Sequence, residues 1–408
     1  MKWMEMKWLR FALQNTLRNR RRSLVTVSIA ALGTAAVLLA GGFALFTYQA
    51  LAQAAARSTG HLIVGLPEQF SKDEDTPPQY GLDDAAALSA KLLIDPDVRK
   101  VLPRVAFSGL ISNGDKSTVM LATGVEPDSE FAVKGPFLTM IAGEVLASGT
   151  KSAEVMLGEG LARSLKAVSG TSLTLLASTT DGALNALDVT VKGVFATGVP
   201  DIDKRLVYTD IGTAQKLLNT KRVSTLGVFL KSMEATDGAQ RRVAAAAPKL
   251  TVQTWRDQAF FYTSVRGLYN RIFGALGLII GVIVVFVVTN AMAMAIIERT
   301  REIGTLRALG TLPAQLLRTL ALEGMVLGGV GACAGALLAL GTSLLLYVVP
   351  VSMPPPPGST RSYALNINID PTLYACTVIA MVALAMLASA LVARKTVNLP
   401  VVDALAHT

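Results

Sequence analysis

The sequence predicts a membrane protein with four transmembrane helices and a large α+β extracytoplasmic domain inserted between helices 1 and 2. Three observations carry this. Residues 23–56, 272–297, 324–360 and 371–393 contain no Asp, Glu, Lys, Arg or His, and each stretch can hold the roughly 20 apolar residues that a spanning helix needs. With no water in the bilayer core, such a segment must satisfy its backbone internally, which a helix does. Between the first two stretches, residues 57–271 carry 24 basic and 23 acidic side chains, the balance of a water-exposed domain. Finally, a compact charged run at residues 298–310 interrupts the apolar stretches.

In chain order, residues 1–22 form a basic N-terminal segment. Lys2, Lys7, Arg10, Arg18, Arg20, Arg21 and Arg22 stand against one acid, Glu5, which by the positive-inside rule places the N-terminus in the cytoplasm. Met4, Trp8, Phe11 and Leu13 fall among these charges at near-helical spacing. That suits either an amphipathic helix on the inner leaflet or a plain basic anchor. The first span, 23–56, is too long for the roughly 7–15-residue core of a cleaved signal peptide and reads as a signal anchor. Counting crossings puts residues 57–265 outside, the 298–318 segment inside, the loop at Arg361 outside, and Arg394 and Lys395 inside. The net charge of +9 thus sits on cytoplasmic segments beside anionic headgroups, which argues against nucleic acid.

In the outer domain, His61 opens a strand through Val64, and residues 81–93 have helical spacing. Strand-like runs follow at 101–110, 117–124, 171–177, 188–195 and 226–231, with helices at 158–167 and 211–219. The turn residues at 178–182 suggest a division into two lobes. The domain has no cysteine, since Cys333 and Cys376 both fall in predicted spans, so its own core must hold it.

Residues 258–271 continue helical spacing into the second span, as a stiff stalk or, through Gly267, a hinge. Residues 266–408 form a membrane domain with helices 2–4. In its third span Gly324, Gly328, Gly331 and Gly335 make small-xxx-small pairs that permit close helix approach, either within the chain or in a dimer. The run from Met353 through Pro354, Pro355, Pro356 and Pro357 is an extended outer spacer.

The chain lacks the parts of most chemistries. No G-x-x-x-x-G-K-[ST] phosphate loop occurs, so no cofactor is expected here and ATP with Mg belongs to a partner. The charge-free spans offer no proton or ion relay. No H-E-x-x-H or Ser-x-x-Lys pattern occurs; no catalytic or metal site is expected, and the chain is not read as an enzyme. His61, His407 and the acidic loop Asp73, Glu74, Asp75 read as ordinary surface or strand residues.

The run Glu298, Arg299, Thr300, Arg301, Glu302, Ile303, Gly304, Thr305, Leu306, Arg307, Ala308, Leu309 and Gly310, followed by Gln315-Leu316-Leu317-Arg318 and Leu322-Glu323-Gly324, resembles the signature of MacB/LolCE/FtsX-type ABC transporter permeases. Leu157-Gly158-Glu159-Gly160-Leu161-Ala162 and Asp181-Gly182-Ala183-Leu184-Asn185-Ala186 resemble the lipoprotein-releasing LolC/LolE-like branch. The resemblance implies a bacterial inner-membrane permease paired with a second permease, a homodimer or a related chain. It also implies a cytoplasmic ABC ATPase and a periplasmic adaptor or chaperone as partners, with residues 298–310 as the ATPase-coupling element. The cargo would be a lipoprotein, lipid or other amphiphile; the alternative is an FtsX-like regulator of a cell-wall hydrolase. The residues suit coupling. Ile303, Leu306 and Leu309 at spacing three suggest an apolar ridge, the arginines offer bidentate donors, Glu298/Arg301 and Arg299/Glu302 suit pairing within a helix, and Gly310 with Pro313 suits a stop and restart.

Overall fold

The computed structural model describes residues 20–70, 81–134, 138–149, 152–298, 300–353 and 363–397. The amphipathic N-terminal residues, the acids at 73–75, Arg299, the proline run, Arg361 and His407 lie outside these. Two compact units emerge, one from residues 49–264 with 353–363 and the other from the remainder.

Helix α1 (Arg20–Thr59) runs 40 residues, about twice the length a bilayer needs. Then come β1 (Leu62–Gly65), α2 (Ala85–Leu92), β2 (Val98–Ser112), β3 (Ser117–Val125), α3 (Pro127–Lys134), β4 (Thr139–Gly143), β5 (Glu154–Gly158) and α4 (Glu159–Ser164). They are followed by β6 (Ser172–Ser178), β7 (Leu184–Ala196), α5 (Pro200–Asp203), β8 (Leu206–Asp210), α6 (Ile211–Leu218), β9 (Thr225–Leu230), α7 (Thr236–Ala246), β10 (Thr251–Thr254) and α8 (Trp255–Gln258). The sheet order is β10-β1-β9-β2-β3-β8-β5-β7-β4, with β6 against β2 and β7. β2 is the hinge of this sheet: residues 98–104 pair with β9 and residues 105–112 with β3.

α6 illustrates how sequence builds the unit. Asp210 caps it by accepting from Gly212 N at 2.8 Å, the favoured use of an N-terminal Asp. Its face buries Ala214, Leu217 and Leu218, each leucine contributing about 1.5–3 kcal/mol. Asn219 ends it in the left-handed region at φ 52°, a conformation Asn tolerates. Residues 178–182 do not separate lobes. They form the turn of the β6–β7 hairpin, with Thr179 N donating to Ala183 O at 2.7 Å, because the two strands pair in full register across it.

The membrane unit adds α9 (Phe260–Glu298), α10 (Thr300–Ala308), α11 (Pro313–Val348) and α12 (Pro371–Val397). Among the described residues, four helices are long and apolar enough to cross a membrane: Ser23–Thr59, Tyr262–Glu298, Pro313–Val348 and Pro371–Arg394. The proposed stalk is not continuous from Gln258, since Ala259 leaves helical geometry at φ −92°, ψ 58°; α9 begins after it. Within the unit, Tyr48 Oη donates to Asn270 Oδ1 at 2.7 Å, tying α1 to α9. Both cysteines are free.

Candidate functional site

The charged run becomes α10, a nine-residue helix between two candidate spans. Thr300 is buried and its Oγ1 donates to the Ile296 and Ile297 carbonyls at 3.0 Å each, so the start of α10 is tied to the end of α9. Ile303 packs into the apolar core with Ile296, Leu316 and Leu320. Leu306 and Leu309 remain 41% and 79% exposed. The expected three-residue ridge is therefore only a pair. Each step of three residues on a 3.6-residue helix falls short of a full turn, so Ile303 turns inward while Leu309 has rotated out. Gly304 is buried, Arg307 half-buried and Glu298 exposed. The side chains of Arg299, Arg301 and Glu302, and hence their expected pairs, lie outside the described residues.

The exit from α10 is closed by a Schellman motif. Gly310 adopts φ 94°, Gly310 N donates to Arg307 O at 3.0 Å, and Thr311 N donates to Leu306 O at 3.0 Å, which satisfies carbonyls the helix leaves open. Pro313 then occupies the first turn of α11, and Gln315 Oε1 accepts from Leu312 N at 3.4 Å. Two helix ends thus fix the direction in which Leu306 and Leu309 point.

The glycines divide between two seams. A Cβ at Gly324 or Gly328 would strike Ser389 or Ala385 of α12, and one at Gly331 or Gly335 would strike Ala30 or Ala31 of α1. The small-residue pairs therefore serve packing inside the chain, where backbones approach closely. Ser389 Oγ adds a bond to Leu320 O at 2.6 Å on the same seam. Among the described residues no group of three or more His, Cys, Asp or Glu is placed to hold a metal.

Comparison with known proteins matches residues 23–246 to the MacB-like periplasmic core domain and residues 274–401 to the FtsX-like permease C-terminal domain. The first match alone covers more than half of the chain. The chain belongs to the MacB/FtsX-like family of ABC permeases. Among its relatives, the lipoprotein-releasing system transmembrane protein LolC of Xylella fastidiosa (strain 9a5c) is 24% identical over 267 residues, covering 64% of this chain and 63% of that protein. The corresponding LolE protein of Haemophilus influenzae is 26% identical over 265 residues, 62% of each chain. The match thus spans less than two thirds of either relative's length. The periplasmic region of MacB from Actinobacillus actinomycetemcomitans aligns at 13% identity and TM-score 0.35, over 50% of this chain and 92% of that one.

Sequence reading missed several charged residues that the permease buries. Glu323 is only 6% exposed, although it stands one residue before an apolar stretch. In the outer unit, Glu130 is 1% exposed and bonds Arg104 at 2.7 Å and Lys134 at 2.9 Å. Arg104 also donates to Thr59 O at 2.8 Å, and Lys134 donates to Tyr208 Oη at 2.8 Å. Burial opposes charge on Glu130, yet the two cations hold its carboxyl below the usual glutamate range. Only the i,i+4 spacing of Glu130 and Lys134 hinted at this; Arg104 arrives from another strand.

Proposed function

We propose that this chain is the permease subunit of an ABC machine in which a separate cytoplasmic ATPase seats on residues 298–310. The observation that carries the reading is the exposed pair formed by Leu306, on a short helix between two spans, and Leu309, in the turn that closes it. Apolar side chains exposed on a rigid element form the centre of a protein interface more readily than scattered surface residues do. Arg307, half-buried on the same helix, offers a bidentate donor to an acidic partner.

In this reading the N- and C-termini are cytoplasmic in a bacterial inner membrane, and the β-rich domain is periplasmic. ATP and Mg bind the ATPase, a second permease completes the assembly, and nucleotide-driven movement passes through α9 and α11 to the outer domain. The work done there is export or extraction of a lipoprotein, lipid or other amphiphile, supported by the lipoprotein-releasing description of the two relatives and by the charge-free stretches at 272–297, 324–360 and 371–393.

The test is co-purification of the tagged chain with its ATPase from membranes. Replacing Leu306 and Leu309 together by Asp is expected to remove the ATPase while the permease still inserts. Retention of the ATPase by that double variant overturns the coupling assignment. Mass spectrometry of molecules released with and without ATP then identifies the cargo class.

A further inference from the structure

A second feature of the outer unit stands apart from coupling. A cavity of about 490 Å³ is lined by Arg57, His61, Arg99, Lys100 and Lys231, and no acid is among its lining residues. Three elements bring these together. Arg57 lies in the last turn of α1. Arg99 and Lys100 are consecutive on β2 at the point where its register with β9 shifts between Val98 and Lys100; such a bulge re-aims side chains out of the strand's alternation. Lys231 directly follows β9, and its Nζ donates to Pro96 O, which holds the ammonium at the rim.

Four cationic side chains converging on one concave site whose lining holds no acid set up a positive potential that draws an anion. Several nearby acids serve other cations. Asp95 and Asp97 both bind Arg242, at 2.6 Å and 2.5 Å, and Glu130 serves Arg104 and Lys134. Glu126 lies near enough to feel Lys100, but burial, first of all, pushes its carboxyl up. On the wall, His61 Nδ1 accepts from Leu230 N at 3.3 Å, leaving Nε2 as its donor. Burial and then Arg57 hold its imidazole below the ordinary value. Phe229 and Met233 add an apolar flank.

We infer that this cleft binds a phosphate-bearing anion, with Arg57, Arg99, Lys100 and Lys231 as its charge partners. Arg57 is the first residue after the charge-free stretch 23–56, so an anionic phospholipid is one source and free phosphate the other. The two share the same recognition: charge-assisted donors converging on phosphate oxygens.

The experiment uses the full-length chain in neutral detergent, without ATPase, so its outcome is separable from that of the coupling test. Thermal unfolding is followed during titration with dihexanoyl phosphatidylglycerol, dihexanoyl phosphatidylcholine and inorganic phosphate. A saturable rise in Tm with phosphatidylglycerol and none with phosphatidylcholine is expected, since a ligand of the native state stabilises by mass action. Arg99→Glu with Lys231→Glu is expected to weaken that apparent affinity at least about ten-fold, as reversal of partner charges does, in a ligand-free chain that still unfolds cooperatively. The single variant Lys231→Gln provides a milder reading if the double variant folds poorly. A saturable rise with inorganic phosphate that the charge reversals abolish assigns the site to free phosphate. No saturable rise with either anion, or the same rise in the charge-reversed chain, overturns the inference.

Discussion

Glu130 concentrates the electrostatics of the outer unit in one carboxylate. Removing one partner of a buried ion pair leaves the others uncompensated in low dielectric, a cost of about 3–5 kcal/mol. Glu130→Ala is therefore expected to lower the stability of the outer unit by that amount in denaturant titrations, and by more than Arg163→Ala, which breaks only an exposed pair with Glu159. The pH dependence has a definite sign. The folded-state pKa lies below the ordinary glutamate value of 4.5, so the stabilisation is present above that value and lost as pH falls through the folded-state pKa. Unfolding midpoints measured between pH 7 and pH 3 are expected to drop at the acid end, less steeply in Glu130→Gln. Beyond the i,i+4 spacing of Glu130 and Lys134, this was not legible in sequence, because Arg104 and Glu130 meet through sheet pairing and a helix rather than through spacing along the chain.

At the scale of elements, α10 and the glycine seams were legible to different depths. The stop at Gly310 and the restart at Pro313 could be read from residue types, since only a few residues suit those backbone positions. Gly310→Ala forces a Cβ into the left-handed region at φ 94° and is expected to cost about 1 kcal/mol or more. It should also reduce ATPase co-purification, because the turn sets the direction of Leu306 and Leu309. A pattern of glycines permits close approach without naming the neighbour, so the seams were not decided by sequence. The structure gives Gly324 and Gly328 to α12 and Gly331 and Gly335 to α1. Gly328→Leu is expected to overpack the α11–α12 contact and lower detergent-phase stability by about 1–3 kcal/mol, whereas Gly341→Leu, with nothing within 4 Å of its Cβ position, is expected to have little effect. Equal losses for the two would argue against the seam.

For the whole molecule, orientation in the bilayer decides which side chains a reagent outside the cell can reach. In a chain whose Cys333 and Cys376 are replaced by serine, Val168→Cys is expected to react with an impermeant thiol reagent added outside intact cells, and Leu312→Cys only after permeabilisation. Both side chains are well exposed, at 67% and 60%, and neither belongs to the proposed ATPase seat, so access and not burial controls the result. The four spans, the inserted domain and the charged run were all determined by sequence alone, because a bilayer imposes a one-dimensional rule: about 20 uncharged apolar residues must cross, and charges must stay out. Most strands of the outer domain followed from alternation. Strands β4, β5, β8 and β10, each only four or five residues long, are too short to show a period and escaped. Which strands pair, which arginine meets Glu130, which leucines of α10 stay exposed and how five basic side chains come to share one cleft were decided only by tertiary structure. Each depends on residues far apart in the chain being brought within a few ångströms by the sheet and the helix seams, and a linear pattern holds no record of such distances.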